Sequence, residues 1–444
     1  MRKVTVTMTR FKSVLLWVAA LMVTVVAVAC SDDDAQQQDQ SSARQAQREQ
    51  ADQSAPAAQA DDPSGPFKIG LMLDFTGGLA EYGNEMRKGF DLAIKHINAA
   101  GGVWGQPVEP LVTDSTLDPT IATEEARRLV EVERIHAFVC CTASSITLAV
   151  TDITAPAGIP MVSPSATSPQ LTLAEDDDFL FRSTLSDVAQ GPIMAQVAAD
   201  RGFDNVGLIY RNDAWGQGYA TAFEEAWEGE IVSIAIDPTQ TSYIAELQQS
   251  VAEGAQALMV VTFVPEAEVM IREAIEQGLY DQFVFNSGAQ SLQLVETIGA
   301  EQLAGMYGAG PASATDSESA EAWLAAFIDE YGVPPAIPYV KETYDATIAL
   351  ALAAQAAGSG DGAAIRDQLR TIASAPGDEV IASPESVADG LKTLADGGDV
   401  DYVGAATAME WDEHGDLSSG FSSIWRYTED GNFEEVEIVA YEAP

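Results

Sequence analysis

The chain has 444 residues, 22 Lys+Arg against 68 Asp+Glu, a formal net charge of −46, and 47% hydrophobic residues. That composition belongs to a folded protein with two or three core-sized units. The charge excludes a nucleic-acid binder, because phosphates are gripped by clustered Lys and Arg, and it argues equally against docking on anionic lipid headgroups.

The N-terminus sets the compartment. Arg2, Lys3, Arg10 and Lys12 form a basic start, residues 13–29 carry no charge, and Ala27-Val28-Ala29 precede Cys30. This is the layout of a secretory signal over residues 1–29. A Cys directly after small residues resembles the lipobox of bacterial lipoproteins, although Ala27 stands where Leu is commoner. The resemblance implies cleavage before Cys30, lipidation of its thiol, and an extracytoplasmic protein anchored to the cell membrane through that lipid. The alternative is a single membrane anchor, since 17 uncharged residues reach the lower limit for a span. Residues 31–66 hold no Val, Ile, Leu, Met or aromatic residue and nine Gln. Such a segment cannot bury enough apolar surface to offset ordering entropy, so residues 30–66 are expected as a disordered tether. A flexible chain of that length spans roughly 30–36 Å.

From Phe67 onward, short apolar runs alternate with amphipathic stretches. Residues 68–73, 108–113, 137–141 and 160–163 read as buried strands. Residues 84–99 place Met86, Phe90, Ala93, Ile94 and Ile97 at helical spacing before Gly101-Gly102, and residues 119–134 form a second helix. A second series follows: helix 188–201, strand 206–210, helix 216–227, strand 231–236, helix 243–253, strand 258–262, helix 265–277, strand 283–286. Alternation of this kind predicts an α/β protein with two doubly wound, parallel-sheet lobes. Ligands of such folds bind beyond the carboxyl ends of the strands, here in the cleft between lobes.

The segment Lys68-Ile-Gly-Leu-Met-Leu-Asp-Phe-Thr-Gly-Gly-Leu-Ala-Glu-Tyr-Gly83 resembles the opening of type I periplasmic binding proteins for branched-chain amino acids and amides. So do Ile97-Asn-Ala-Ala-Gly-Gly-Val103, Thr113-Asp114 followed by Asp118-Pro119, Ser163-Pro-Ser-Ala-Thr-Ser-Pro169, and Asn212-Asp-Ala-Trp-Gly-Gln-Gly218. The motifs occur in family order from residue 67 to the end. The resemblance implies a solute receptor feeding an ABC permease and ATPase complex, with three crossover strands near Ser186, Gly310 and Trp411. The lobes would then be residues 67–186 plus 311–410, and 187–310 plus 411–444. A sensor of the same fold, signalling to a membrane partner, is the alternative.

Residue chemistry marks a site at the loop holding Ser144 and Ser145. A helix starting there offers unpaired amides and partial positive charge, which favour a carboxylate; equally, one serine could simply cap the helix. The resemblance assigns Ser144 to the ligand carboxylate, Thr167 to carboxylate and ammonium, and the Ser165 carbonyl to the ammonium. It also places Tyr82, Trp215, Phe263 and Tyr339 as aromatic walls, where each could otherwise be a core or rim residue. The family's amino-acid binders carry a Glu where Ala289 stands here, with Gln290 beside it. An ammonium buried without a carboxylate is costly. Either another acid substitutes, with Asp74, Asp187 and Asp213 as candidates on nearby loops, or the ligand is not an α-amino acid.

Cys140 and Cys141 would be the only thiols left after lipidation. They form either a vicinal disulfide, as exported cysteines tend to oxidise, or two buried thiols packed as small hydrophobes. The family's usual disulfide has no partner, because Leu117 stands where the other Cys would be. No Gly-x-Ser-x-Gly elbow or HExxH occurs, and His96, His136 and His414 are too scattered for zinc. The expectation is a binding protein with no cofactor, metal or catalytic residue.

Overall fold

The computed structural model describes residues 65–443. The signal-like segment, Cys30 and the tether as far as residue 64 lie outside the described residues. Five parallel strands make a first sheet in the order β2-β1-β3-β4-β5: β1 (Lys68–Leu73), β2 (Glu109–Asp114), β3 (Ala137–Cys140), β4 (Met161–Ser163) and β5 (Leu180–Arg182). The inner strands are apolar throughout because helices cover both faces. The connecting helices are α1 (Ala80–Ala99), α2 (Pro119–Arg127) and α3 (Ser144–Thr154). Helix α1 starts four residues before the expected 84–99, because a 3₁₀ turn at Gly77–Leu79 feeds it. Helix α2 is shorter than expected. Asp118 caps it by accepting from the Thr120 and Ile121 amides, but beyond Arg127 the coil widens into π turns over Arg128–Glu133. It stops at Arg134, whose φ is 56°.

The chain then passes to a second sheet. Its elements are α4 (Asp187–Asp200), β6 (Asn205–Arg211), α5 (Ala214–Ala226), β7 (Glu230–Ile236), α6 (Ile244–Val251), β8 (Ala257–Val261), α7 (Val264–Glu276), β9 (Phe283–Phe285), α8 (Leu292–Ile298), α9 (Ala300–Leu303) and β10 (Tyr307–Ala312). It returns to the first sheet's side with α10 (Glu318–Tyr331), α11 (Val340–Ala357), α12 (Gly362–Leu369), β11 (Asp378–Ile381), α13 (Pro384–Ala395) and β12 (Val400–Val403). Strands β11 and β12 form a small parallel pair of their own. A third passage leads to β13 (Ser419–Tyr427) and β14 (Phe433–Glu442), completing the order β14-β13-β10-β9-β8-β6-β7. The second sheet therefore departs from the all-parallel expectation: β13 is antiparallel to β10, and β14 to β13. Strand β14 blunts the exposed edge with Glu434, Glu435 and Glu437.

The first and third passages are stitched together. Buried Arg182 donates to Asp416 at 2.6 Å and to the Ser168 carbonyl at 3.0 Å, and the Trp411 indole donates to the Arg182 carbonyl at 2.7 Å. Among the described residues no single helix is long and apolar enough to cross a membrane.

Helices α1 and α11 pack closely, and each carries an aromatic residue at its start, Tyr82 and Tyr339. Their approach depends on Gly89, where a Cβ would stand 2.0 Å from the Val340 carbonyl oxygen. Gly89→Ala is expected to lower stability by about 3 kcal/mol, since backbone cannot give way as a flexible side chain can. Urea unfolding followed by far-UV circular dichroism checks this, and an unchanged midpoint contradicts it.

Candidate functional site

Between the two sheets' carboxyl ends lies a pocket lined mainly by aromatic and hydroxyl-bearing residues. Apolar walls with a few placed polar groups are the make-up of small-solute sites. Six of the residues singled out from the sequence line it: Tyr82, Ser144, Ser165, Trp215, Phe263 and Tyr339. Leu79, Thr142, Ala143, Ser287 and Gly288 complete the lining and were not singled out. Thr142 and Ala143 had a signal, since they lead directly into the helix bearing Ser144. The other three did not: Leu79 reads as a core residue, and Ser287 and Gly288 as part of a turn.

The floor is the start of α3. Its N-cap is Ala143, which has no side-chain acceptor, so neither serine caps the helix. The first intrahelical bond, from the Thr147 amide to the Ala143 carbonyl, spans 3.0 Å and leaves the preceding turn's amides outside the helical ladder. The Ser144 hydroxyl instead accepts from the Ser168 amide at 3.2 Å. The Ser165 hydroxyl donates to the Thr142 carbonyl at 2.9 Å, and its own carbonyl is engaged by no described donor. Beneath the loop 142–144, Cys140 and Cys141 are fully buried and joined as a vicinal disulfide.

The walls come from both sheets and meet. Tyr82 donates to the carbonyls of Ser287 and Gln290, and the Tyr339 hydroxyl lies 2.7 Å from that of Ser287. The Ser168 hydroxyl reaches across to the Ala214 carbonyl at 2.7 Å. Burial raises the pKa of both tyrosines, so each remains a hydrogen-bond donor. The Trp215 and Phe263 rings stack with centroids 4.6 Å apart.

Four expected site residues do not line the pocket. Ser145 is half-buried one position further along α3. Gln290 contributes its carbonyl to Tyr82, while its side-chain oxygen points towards Gly310. Asp74 is buried at the end of β1, held by the Ser115 hydroxyl and by the Leu117 amide at 2.5 Å. Thr167 is buried behind the pocket, where its carbonyl accepts from the Asp187 amide at 2.8 Å.

The three candidate acids separate clearly. Asp74 is engaged through Oδ1 as described, while its Oδ2 is buried without a partner and burial raises its pKa. Asp213 caps α5 through the Gly216 amide and pairs with Arg211. Asp187 is fully buried, and neither of its carboxylate oxygens has a well-formed hydrogen bond. Burial pushes its pKa up to about 7; the Thr167 side chain and the Arg182 guanidinium are near enough to oppose that shift only in part. One turn further on, the Gln190 side-chain amide is likewise buried with both polar atoms unpaired. Burial raises the pKa of Tyr339, and Asp187 and Glu342 each add to that rise when ionised; Glu342, buried on α11 with neither oxygen paired, has its own pKa pushed up to about 7 by burial. Among the described residues no cluster of His, Cys, Asp or Glu could hold a metal ion.

The sequence pattern of the periplasmic binding protein family matches residues 66–392. A leucine-, isoleucine-, valine-, threonine- and alanine-binding protein of Pseudomonas aeruginosa is 27% identical over 381 residues, which cover 84% of this chain and 92% of that protein. The fold is shared with a branched-chain amino acid transporter substrate-binding protein from Streptococcus pneumoniae solved with isoleucine. Its TM-score is 0.71 at 24% identity, covering 85% of this chain and 100% of that one. A benzoate-bound solute-binding protein from Rhodopseudomonas palustris also shares it, with a TM-score of 0.67 at 17% identity over 85% and 98% of the two chains. These relatives are solute-binding proteins, not enzymes.

A buried carboxyl with a raised pKa destabilises the fold once the unfolded chain would ionise. Stability from Asp187 is thus fully present below about pH 4 and lost as pH rises to about 7. Asp187→Asn should therefore stabilise the ligand-free protein by on the order of 1–3 kcal/mol at pH 8 and leave it unchanged near pH 4. Thermal unfolding at the two pH values measures this; equal effects at both would show that Asp187 is not held in the protonated form.

Proposed function

Because the chain belongs to the periplasmic binding protein family, we propose that it captures a small zwitterionic amino acid for an ABC importer. The observation that carries this reading is the uncapped start of α3 at the floor of a pocket walled by aromatic rings. Anions favour such a terminus because its amides lack partners and the peptide dipoles add up there. The ligand carboxylate sits on the amides and hydroxyl of Ser144, with Ser145 and Thr167 close by. The ammonium faces the Ser165 carbonyl and Asp187. Asp187 replaces the acid missing at Ala289, whose own carbonyl accepts from Tyr427 at 2.7 Å. Tyr82, Trp215, Phe263 and Tyr339 enclose the side chain.

On this reading the two sheets belong to lobes that close on the solute by bending at the three passages. Cys30 carries a lipid, and residues 30–66 hold the binding body off the membrane within reach of the permease and ATPase. The aromatic lining and the absence of a charged side chain within it favour a second ligand, an aromatic acid without an amino group.

Thermal-shift and calorimetric titrations with L-leucine, L-isoleucine, L-valine and benzoate distinguish the two. A ligand bound at a hundred times its Kd stabilises the fold by about 2.7 kcal/mol. For an amino acid, Asp187→Asn should weaken binding far more than it weakens binding of 4-methylpentanoate, which lacks the amino group. The double variant Ser144→Ala, Thr167→Ala should weaken either class at least tenfold, about 1.4 kcal/mol. Unchanged affinity in the double variant rejects the site.

A further inference from the structure

The aromatic wall from the second sheet has a support outside the pocket. Phe263 is the N-cap of α7 and Trp215 the second residue of α5, so the two stacked rings belong to two separate helix starts. Arg211, the last residue of β6, is buried and lies on the far face of the Phe263 ring, with its Cζ 4.4 Å from the ring centroid. Its Nε donates to Asp213 Oδ2 at 2.9 Å, and its Nη1 donates to Glu266. Asp213 Oδ1 accepts from the Gly216 amide at 2.9 Å and so fixes the start of α5. Glu266 is the third residue of α7 and is itself buried. One planar guanidinium therefore grips both helix starts and stacks on one of the two rings. Phe263 thus has the guanidinium and the Trp215 indole packed against its ring, and only the two aromatic residues line the pocket.

We propose that Arg211 is a positioning residue that sets the place and tilt of the Phe263–Trp215 wall, and through it the size of solute side chain the pocket accepts. The second half rests on the solute-binding reading; the first does not. A planar fork with several donors is needed to hold two carboxylates while lying flat on a ring. Lysine offers a compact charge without that geometry. Removing Arg211 alone would strand Glu266 as an unpaired buried charge, so the informative variant is Arg211→Met combined with Glu266→Gln.

The test has two readouts. The first is the Trp215 contribution to near-UV circular dichroism, taken as the difference between each protein and the same protein carrying Trp215→Phe. Arg211→Met/Glu266→Gln should keep the far-UV spectrum and cooperative unfolding but lose most of this band, and Arg211→Lys should fail to restore it. An unchanged band in a folded double variant overturns the proposal. Should the double variant not fold, Glu266→Gln alone decides, with a reduced band expected and an unaltered one fatal. The second readout is selectivity: calorimetric affinities for L-alanine, L-valine, L-leucine and L-phenylalanine should change in ratio by about tenfold, where a merely structural loss would weaken all alike. If none of the four binds the parent protein, the amino-acid reading fails while the spectroscopic result still judges Arg211.

Discussion

The first turn of α3 holds amide donors that no side chain caps, and the other features of the cleft follow from that. Buried donors without acceptors are costly, and proteins rarely leave them so. Here the residue that would ordinarily supply an acceptor is Ala143. The loop before it is braced from behind, by the Ser165 hydroxyl on the Thr142 carbonyl and by the Ser168 amide on the Ser144 hydroxyl. These contacts fix the direction in which the helix start faces. On the proposed solute-binding reading an anionic head group completes this arrangement, and a rigid frame avoids an ordering cost when it binds.

Around that floor the protein separates two kinds of chemistry. The walls are aromatic, fixed by stacking, by the Tyr82 hydroxyl donating across the cleft to the Ser287 and Gln290 carbonyls, and by the Tyr339 hydroxyl meeting that of Ser287. The acids are elsewhere: Asp213 is engaged through both oxygens and Asp74 through Oδ1, while Asp187 and Glu342 are buried with neither carboxylate oxygen paired. Of these two, Asp187 starts the helix that follows the first passage, with the Thr167 side chain and the Arg182 guanidinium near it. Its cost in the ligand-free state is of the kind that a bound cation would remove. The passages between sheets lie immediately behind it, where Arg182, Asp416 and Trp411 join two of the three strands of chain that bending would flex.

Much of this was legible in the residues, and the parts that were not have a common cause. The alternation of apolar runs and amphipathic stretches located nearly every strand from β1 to β9 within two residues, because inner strands covered on both faces must be apolar throughout. Ser144, Ser165, Tyr82, Trp215, Phe263 and Tyr339 were identifiable because they stand at strand-to-helix turns with matching family motifs. The state of the acids was not legible. Asp74 is occupied by Ser115 and Leu117, about forty residues away, and no local pattern reveals such a pairing. Gln290 and Ser145 lie beside true lining residues, and one position along a helix or turn is enough to redirect a side chain. The antiparallel hairpin β13–β14 escaped because a parallel rhythm upstream says nothing about the direction in which the last strands join.

The central claim is most directly tested by amide-resolved NMR of Ser144, Ser145 and Ile146 during titration with L-isoleucine. The account predicts that these amide protons move downfield and saturate together with the rest of the binding-induced changes, as a carboxylate oxygen comes to accept from them. Saturation elsewhere in the molecule while these three resonances stay in place would contradict it.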